Sequence, residues 1–199
     1  MKAVAGIILA GGQARRMGGG DKTLLPLAGT TLLDKVVRCL RPQVTTLALN
    51  ANGPPQRFAR FGLPVIADVI EGQLGPLAGI LSGLQWAQDQ GLGWVATVAA
   101  DTPLFPADLV SRLMAAVDQG ANAAIAASNG RDHPTCGLWS TGLIAPLRQS
   151  LEHEQRGVWR FAMAQAAVTV DWSASPVDPF FNVNTAEDLH RLEEALKRR

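Results

Sequence analysis

Short, continuous apolar runs alternate along this chain with amphipathic stretches. Val4–Leu9, Val44–Asn50, Pro64–Asp68 and Trp94–Ala100 are apolar and bounded by turn residues, so they read as buried strands. Between them lie the amphipathic stretches Thr31–Leu40, Pro55–Phe61, Leu77–Gln90 and Ala107–Gln119. Pro76, Pro103 and Pro106 stand where helices begin or the chain turns, places where a missing N–H costs little. Such alternation predicts parallel βαβ units in an α/β sandwich. The second half is less regular. It offers strands at Ala123–Ala127, Pro134–Trp139 and Val168–Trp172, and helices near Leu143–Leu151, Val158–Ala166 and Ala186–Lys197. With no Pro/Gly/Ser-rich linker between the halves, residues 1–199 are expected to form one domain with an accessory portion after about residue 130. The apolar helix Leu77–Trp86 could face either the core or a partner.

The strand ends share a feature. The first predicted strand runs into Gly11–Gly12, the second ends at Asn50, the third at Asp68, and the fourth runs into Asp101. Open parallel sheets bind ligands beyond the carboxyl ends of their strands. One polar residue there is ordinary turn chemistry, whereas four in succession point to a site.

Composition narrows the classes. The 199 residues are 47% hydrophobic and 18% charged with a net charge of +1, which excludes intrinsic disorder and a strongly basic nucleic-acid binder. That total hides an asymmetry. Residues 1–60 carry nine Lys/Arg against Asp21 and Asp34, while residues 61–199 carry nine against fifteen acids. An anionic ligand held by the first part is implied. No apolar run reaches the ~18–20 residues of a membrane span. Ala3–Ala10 leads into Gly-Gly and Arg15–Arg16 rather than a cleavage site, so it reads as a strand and not a signal peptide. Cys39 and Cys136 form no framework, which fits a reduced cytoplasmic protein, and His133, His153 and His190 have no zinc spacing.

The segment from Leu9 to Lys22 holds five glycines and two arginines in fourteen residues. Backbone N–H groups beside cationic forks cradle phosphates, and glycine permits the close approach. Asp21 stands where a P-loop needs glycine before its lysine, and no G-x-G-x-x-G occurs.

The pattern L-A-G-G-x-x-x-R-M-G-x-x-D-K resembles the signature loop of nucleotidyltransferases with a nucleotide-diphosphosugar-transferase-type fold, and specifically that of the molybdenum cofactor guanylyltransferases. Asn50, Asp68, Gly75-Pro-Leu-Ala-Gly79, Asp101-Thr-Pro103, His133-Pro134 and Asn182-Val-Asn184-Thr185 with Asp188 follow in the family's order, so the resemblance spans about residues 4–189. Sugar-nucleotide pyrophosphorylases resemble G-x-G-T-R-[ML], which is absent. The cytidylyltransferases acting on molybdopterin resemble L-A-A-G with Asn before the lysine, where this chain has Gly11 and Asp21.

The resemblance implies a three-layer, Rossmann-like α/β fold with a mostly parallel sheet. It also implies transfer of GMP from GTP to the terminal phosphate of molybdopterin, releasing pyrophosphate. In it, Leu9, Ala10, Gly11, Gly12 and Lys22 line the nucleotide, Lys22 and Arg16 neutralise phosphate, and Asp101 holds Mg²⁺. Asn50 and Asp68 take the nucleoside. A carboxylate can accept from the N1–H and N2–H edge of guanine, a pair that cytosine lacks. Gly75 and Gly79 would let the base pack on backbone, unless they are turn or close-packing glycines, and Asp101 has the alternative of a turn or cap. Asn182 and Asn184, two apart on an extended segment, face one way near the reaction centre. Thr185 and Asp188 form a capping pattern, and Asp108 suits a helix N-terminus. Arg156 and Arg160, four apart on a predicted helix, and His133 are open between substrate contact and structure. The partners implied are GTP and molybdopterin, with transient contact to proteins that make or receive the cofactor, no nucleic acid, no membrane, and a monomer or weak oligomer. The alternatives are transfer to another phosphate (cytidylyl transfer to molybdopterin, or guanylyl transfer to cobinamide phosphate or a sugar phosphate) or a non-catalytic nucleotide-binding regulator on the same scaffold.

Overall fold

The computed structural model describes residues 2–11, 22–27, 29–70, 72 and 74–197. The chain runs through β1 (Ala5–Leu9), the small hairpin β2 (Pro26–Leu27) and β3 (Thr30–Thr31), α1 (Leu32–Leu40), β4 (Thr46–Asn50), β5 (Val65–Ile66), α2 (Pro76–Asp89) and β6 (Trp94–Ala99). It continues through α3 (Leu109–Val117), β7 (Ala123–Ser128), β8 (Arg131–Ser140), α4 (Ile144–Glu152), α5 (Val158–Ala164), β9 (Val168–Trp172) and α6 (Ala186–Lys197). Among the described residues no helix is long and apolar enough to cross a membrane.

Seven strands form one sheet in the order β5-β4-β1-β6-β8-β7-β9. All adjacent pairs are parallel except those of β8, which runs antiparallel to both β6 and β7. The expected mostly parallel sheet is present, and the predicted strand Pro134–Trp139 is longer than its apolar run. In β8 the partners jump from Gly137 to His133 between Ile125 and Ala126 of β7, so Pro134 sits in a bulge where a missing N–H breaks no ladder bond.

Helices cover both faces. On one, α1 and α3 pack with Phe58, Trp172 and Phe180; on the other, α2, α4 and α5 pack around Trp139. Helix α1 shows why its sequence forms it. Leu32, Leu33, Val36, Val37 and Leu40 make the buried stripe, and Thr31 with Asp34 closes a capping box reinforced by Arg60 at 2.8 Å. Burial pushes the Asp34 carboxyl up, but the Thr31 hydroxyl, the Thr31 N–H and Arg60 outweigh it and hold the group below its ordinary value.

Helix α2 is buried from Leu77 through Leu84 and again at Ala87, so it belongs to the core. The stretch Pro55–Phe61 is a 3₁₀ helix opened by Pro54–Pro55, burying only Phe58 and ending at left-handed Gly62. The expected shared helical face of Arg156 and Arg160 does not exist. Gly157 caps α5, which leaves Arg156 ahead of the helix and 3.9 Å from Glu154. Asp108 does precede α3, but without a side-chain capping bond; its carboxylate accepts from the Trp172 indole at 3.0 Å instead.

Candidate active site

After β1 the chain moves outward to β4 and β5, then returns to β6 on the other side of β1. The carboxyl ends of β1 and β6 therefore flank the topological switch point, where connections diverge and leave a crevice. Leu9 ends β1 between both neighbours, with Ala100 N–H donating to its carbonyl at 3.1 Å and Ala10 N–H donating to the Asn50 carbonyl at 2.9 Å. Gly11 is exposed, and a Cβ there would meet nothing within 4 Å. Gly12 and Arg16 lie outside the described residues. Lys22 opens a 3₁₀ turn, and its side chain also lies outside them.

Asn50, buried at the end of β4, donates from Nδ2 to Asp68 Oδ1 at 2.9 Å. Asn52 donates to Asp68 Oδ2 at 2.8 Å, and Asp68 N–H donates back to Asn52 Oδ1 at 2.9 Å. Both carboxylate oxygens are thus held in one orientation by amides. Gly79 lies against this pair: a Cβ there would stand 2.2 Å from Asn50 Oδ1 and 2.9 Å from Leu9 Cδ2. Gly79 is therefore a close-approach glycine. Gly75, with φ +75°, is a conformational one that opens α2.

Asp101 stands two residues beyond β6, half-buried, with its Oδ1 shielded from solvent. The segment carrying the two asparagines is laid on it. Val183 N–H donates to the Asp101 carbonyl at 2.9 Å, and Thr102 Oγ1 donates to Asn182 Oδ1 at 2.6 Å. Asn182 is half-buried, Val183 buried and Asn184 exposed. Thr185 and Asp188 form the expected capping box, with Asp188 N–H to Thr185 Oγ1 at 3.1 Å and Thr185 N–H to Asp188 Oδ2 at 2.9 Å. Asn184 N–H also donates to Asp188 at 2.9 Å, so the cap fixes the end of the asparagine segment. Cys136 lies near Asp101; burial, with Asp101 adding to it, pushes the thiol up to about 12, so it stays protonated.

Among the described residues no three or more His, Cys, Asp or Glu gather as a metal cage. The oxygen donors beside the crevice are the Asp101 carboxylate and the asparagine amides. A hard divalent cation taking one or two carboxylates and completing its shell with phosphate oxygens and water fits that set. A zinc cage does not.

A second network lies at the same end of the sheet. His133 is buried, its Nε2 is 2.8 Å from Ser128 Oγ, and Ser128 donates to Asp178 Oδ1 at 2.8 Å. Because the single Ser128 proton goes to Asp178, Nε2 carries the hydrogen toward Ser128. Phe180 N–H donates to Asp178 at 2.9 Å, and its ring stacks on His133 at 4.9 Å. The imidazole is pushed below its ordinary value first by burial and then by Arg131, against the pull of Asp178 and Asp132. His133 thus ties β8 to the segment that leads to Asn182.

The segment Asn182–Asn184 lies on Asp101 and Thr102 beyond β6, while Leu9, Asn50, Asp68 and Gly79 come together beyond β1 and β4. Asn52, Thr102, Ser128 and Asp178 were not anticipated as part of these networks. Asn52 had a signal in its spacing of two from Asn50. Ser128 and Asp178, fifty residues apart, had none.

The sequence matches the family described as MobA-like NTP transferase domain over residues 6–170. It is 50% identical over 195 residues to the molybdenum cofactor guanylyltransferase of Rhodopseudomonas palustris (strain BisB5), covering 96% of this chain and 93% of that protein. The fold superposes on the crystal structure of molybdopterin-guanine dinucleotide biosynthesis protein A from Archaeoglobus fulgidus with a TM-score of 0.77 at 22% identity, covering 98% of this chain and 100% of that one. A Mycobacterium tuberculosis H37Rv protein solved as a complex with manganese shares the fold with a TM-score of 0.70 at 19% identity, covering 98% and 100% of the two chains. The chain belongs to the MobA-like NTP transferase family, and within it to the molybdenum cofactor guanylyltransferases.

Proposed function

We propose that this protein transfers GMP from GTP to the terminal phosphate of molybdopterin, releasing pyrophosphate. The observation that carries the reading is the seating of the Asn182–Asn184 segment on Asp101 and Thr102 at the switch point. An acceptor phosphate oxygen is already anionic at neutral pH and attacks the α-phosphate of GTP without a side-chain base, while the bond to the β-phosphate breaks. What the site must supply is alignment of two polyanions and neutralisation of their charge.

Lys22 and Arg16 neutralise the triphosphate, and the backbone of Leu9, Ala10, Gly11 and Gly12 lines it. Asp101 holds Mg²⁺, which when bound would draw charge from the phosphate oxygens. Asn50 orients Asp68 to accept the edge of guanine. Gly79 leaves Asn50 the space it needs to hold Asp68 toward the base, and Gly75 opens the helix that carries Gly79. Asn182 and Asn184 orient the acceptor side. Residues 1–130 act as the nucleotide-binding part and 131–199 as the second-substrate part of one domain. The protein works in the cytoplasm as a monomer or weak oligomer, in transient contact with proteins that make or receive the cofactor.

Pyrophosphate release from Mg-GTP, measured with and without molybdopterin, tests this directly. Release should require molybdopterin, and CTP should substitute poorly. Asp101→Asn should lower turnover about a hundred- to a thousandfold while leaving the thermal midpoint near wild type. Absence of release with every nucleoside triphosphate refutes the enzymatic reading.

A further inference from the structure

We propose that Trp159 is the platform on which the planar ring of the acceptor substrate stacks, an inference that rests on the guanylyl-transfer reading and extends it. Trp159 is 49% exposed; the other exposed large apolar side chains among the described residues are Val69 at 49% and Val168 at 37%. Its edge is fixed, because Nε1–H donates to Asp132 Oδ2 at 2.7 Å. An exposed indole pinned by a carboxylate has already lost its rotational freedom, so a ligand stacking on it does not bear that entropic cost.

Its place in the fold ties it to the reaction centre. Asp132 is the second residue of β8, and because β8 runs antiparallel, that end sits with the carboxyl ends of β6 and β7, where Asp101 follows β6. The next residue, His133, connects through Ser128 and Asp178 to Phe180, and from there the chain reaches Asn182 and Asn184. Asp132 and His133 are consecutive on β8 and face opposite sides of the sheet, so Trp159 stands at the same end of the sheet as Asp101 but on the face that α2 covers. Helix α5 also packs on the sheet face that α2 occupies, and α2 carries Gly79 beside Asn50.

The surroundings define the occupant. Arg156 and Arg160 bracket Trp159 in sequence and both are exposed, Arg156 lying 3.9 Å from Glu154. The stem of Arg160 folds back toward Gly157 at the start of α5, with its carbons 3.7–3.8 Å from where a Cβ would stand. A hydrogen bond from indole to carboxylate raises the electron density of the ring face, which favours a polar heteroaromatic partner. The matching ligand has a planar heterocycle and negative charge, as a phosphorylated pterin does. Guanine meets the same description, but the Asn50–Asp68 pair already offers the guanine edge a fixed carboxylate.

The test is a fluorescence titration with molybdopterin in the absence of GTP, paired with steady-state guanylyl transfer. Molybdopterin should quench the emission of the wild-type protein, and Trp159→Phe should abolish most of that quench while keeping affinity within about threefold. Trp159→Ala should weaken molybdopterin binding roughly five- to tenfold and raise its KM by the same factor. The KM for GTP and the thermal midpoint should stay near wild type. Equal molybdopterin affinity in wild type and Trp159→Ala overturns the proposal, as does a rise in the GTP KM instead of the acceptor KM. If molybdopterin binds on Trp159 but wild type makes no guanine dinucleotide, the platform stands and the transfer reading falls. If molybdopterin neither binds nor reacts, both fall.

Discussion

Gly79→Ala probes the nucleoside side of the crevice with one methyl group. The added Cβ would stand 2.2 Å from Asn50 Oδ1, 2.9 Å from Asn50 Cγ and 2.9 Å from Leu9 Cδ2, all well inside contact distance. Leu9 ends a strand paired on both sides, so the cheaper response is for the Asn50 amide to swing away. That motion breaks its 2.9 Å bond to Asp68 and its 3.3 Å bond to the Ile66 carbonyl. Overpacking costs roughly 1–3 kcal/mol. Losing a hydrogen bond to a charged group adds about 1.5 kcal/mol at the low end, appropriate to a half-buried carboxylate. Replacing glycine inside a helix returns about 1 kcal/mol. The net destabilisation is on the order of 1.5–3.5 kcal/mol, which for a domain of this size lowers the thermal midpoint by roughly 3–14 °C. Gly83→Ala is the comparison, because its Cβ would press on Ile7, 2.6 Å from Cγ1, away from Asn50. Both variants should melt early in calorimetry, but only Gly79→Ala should also raise the KM for GTP in a pyrophosphate-release assay. A wild-type midpoint for Gly79→Ala refutes the packing argument, and early melting with an unchanged GTP KM refutes the assignment of Asn50 and Asp68 to the nucleoside.

Asp68→Ala should weaken GTP binding about ten- to a hundredfold and narrow the preference for GTP over CTP, measured as the ratio of kcat/KM for the two; preserved discrimination counts against the role of that carboxylate. His133 gives a pH signature. Its folded-state value is pushed below the ordinary 6.5, so the unfolded chain binds more protons as pH drops below that value. Its contribution is complete above about pH 6.5 and erodes as pH falls toward the folded value. Asp34 and Asp188, both held below their ordinary 3.8, contribute their loss only in more acidic solution. The midpoint of wild type should therefore fall between pH 7 and pH 5, and His133→Asn should flatten that slope; equal slopes would remove the imidazole from the account.

Much of the scaffold was legible because it is local. A continuous apolar run followed by a polar residue marks a strand and its carboxyl end together, which is why β1, β4 and β6 were legible with Asn50 and Asp101 at or just beyond their ends; the third run fell short, since β5 spans only half-buried Val65–Ile66 and stops two residues before Asp68. Capping boxes are equally local, since Thr185 and Asp188 meet within one turn. Local logic failed where one residue resets a boundary: Gly157 caps α5 and puts Arg156 outside the helix that spacing alone had assigned it. It also said nothing about Asp108, whose carboxylate turns from its own helix to Trp172, 64 residues away.

By itself the sequence determined the periodicities, the polar residues beyond the strands, and the ordered motifs of a nucleotidyltransferase. Only the tertiary structure decided that β8 reverses, that Gly79 yields its side-chain space to Asn50, and that Ser128, His133 and Asp178 form one network. These depend on contacts between distant segments, and such contacts exist only after the loops between them have closed. No pattern along the chain encodes that step.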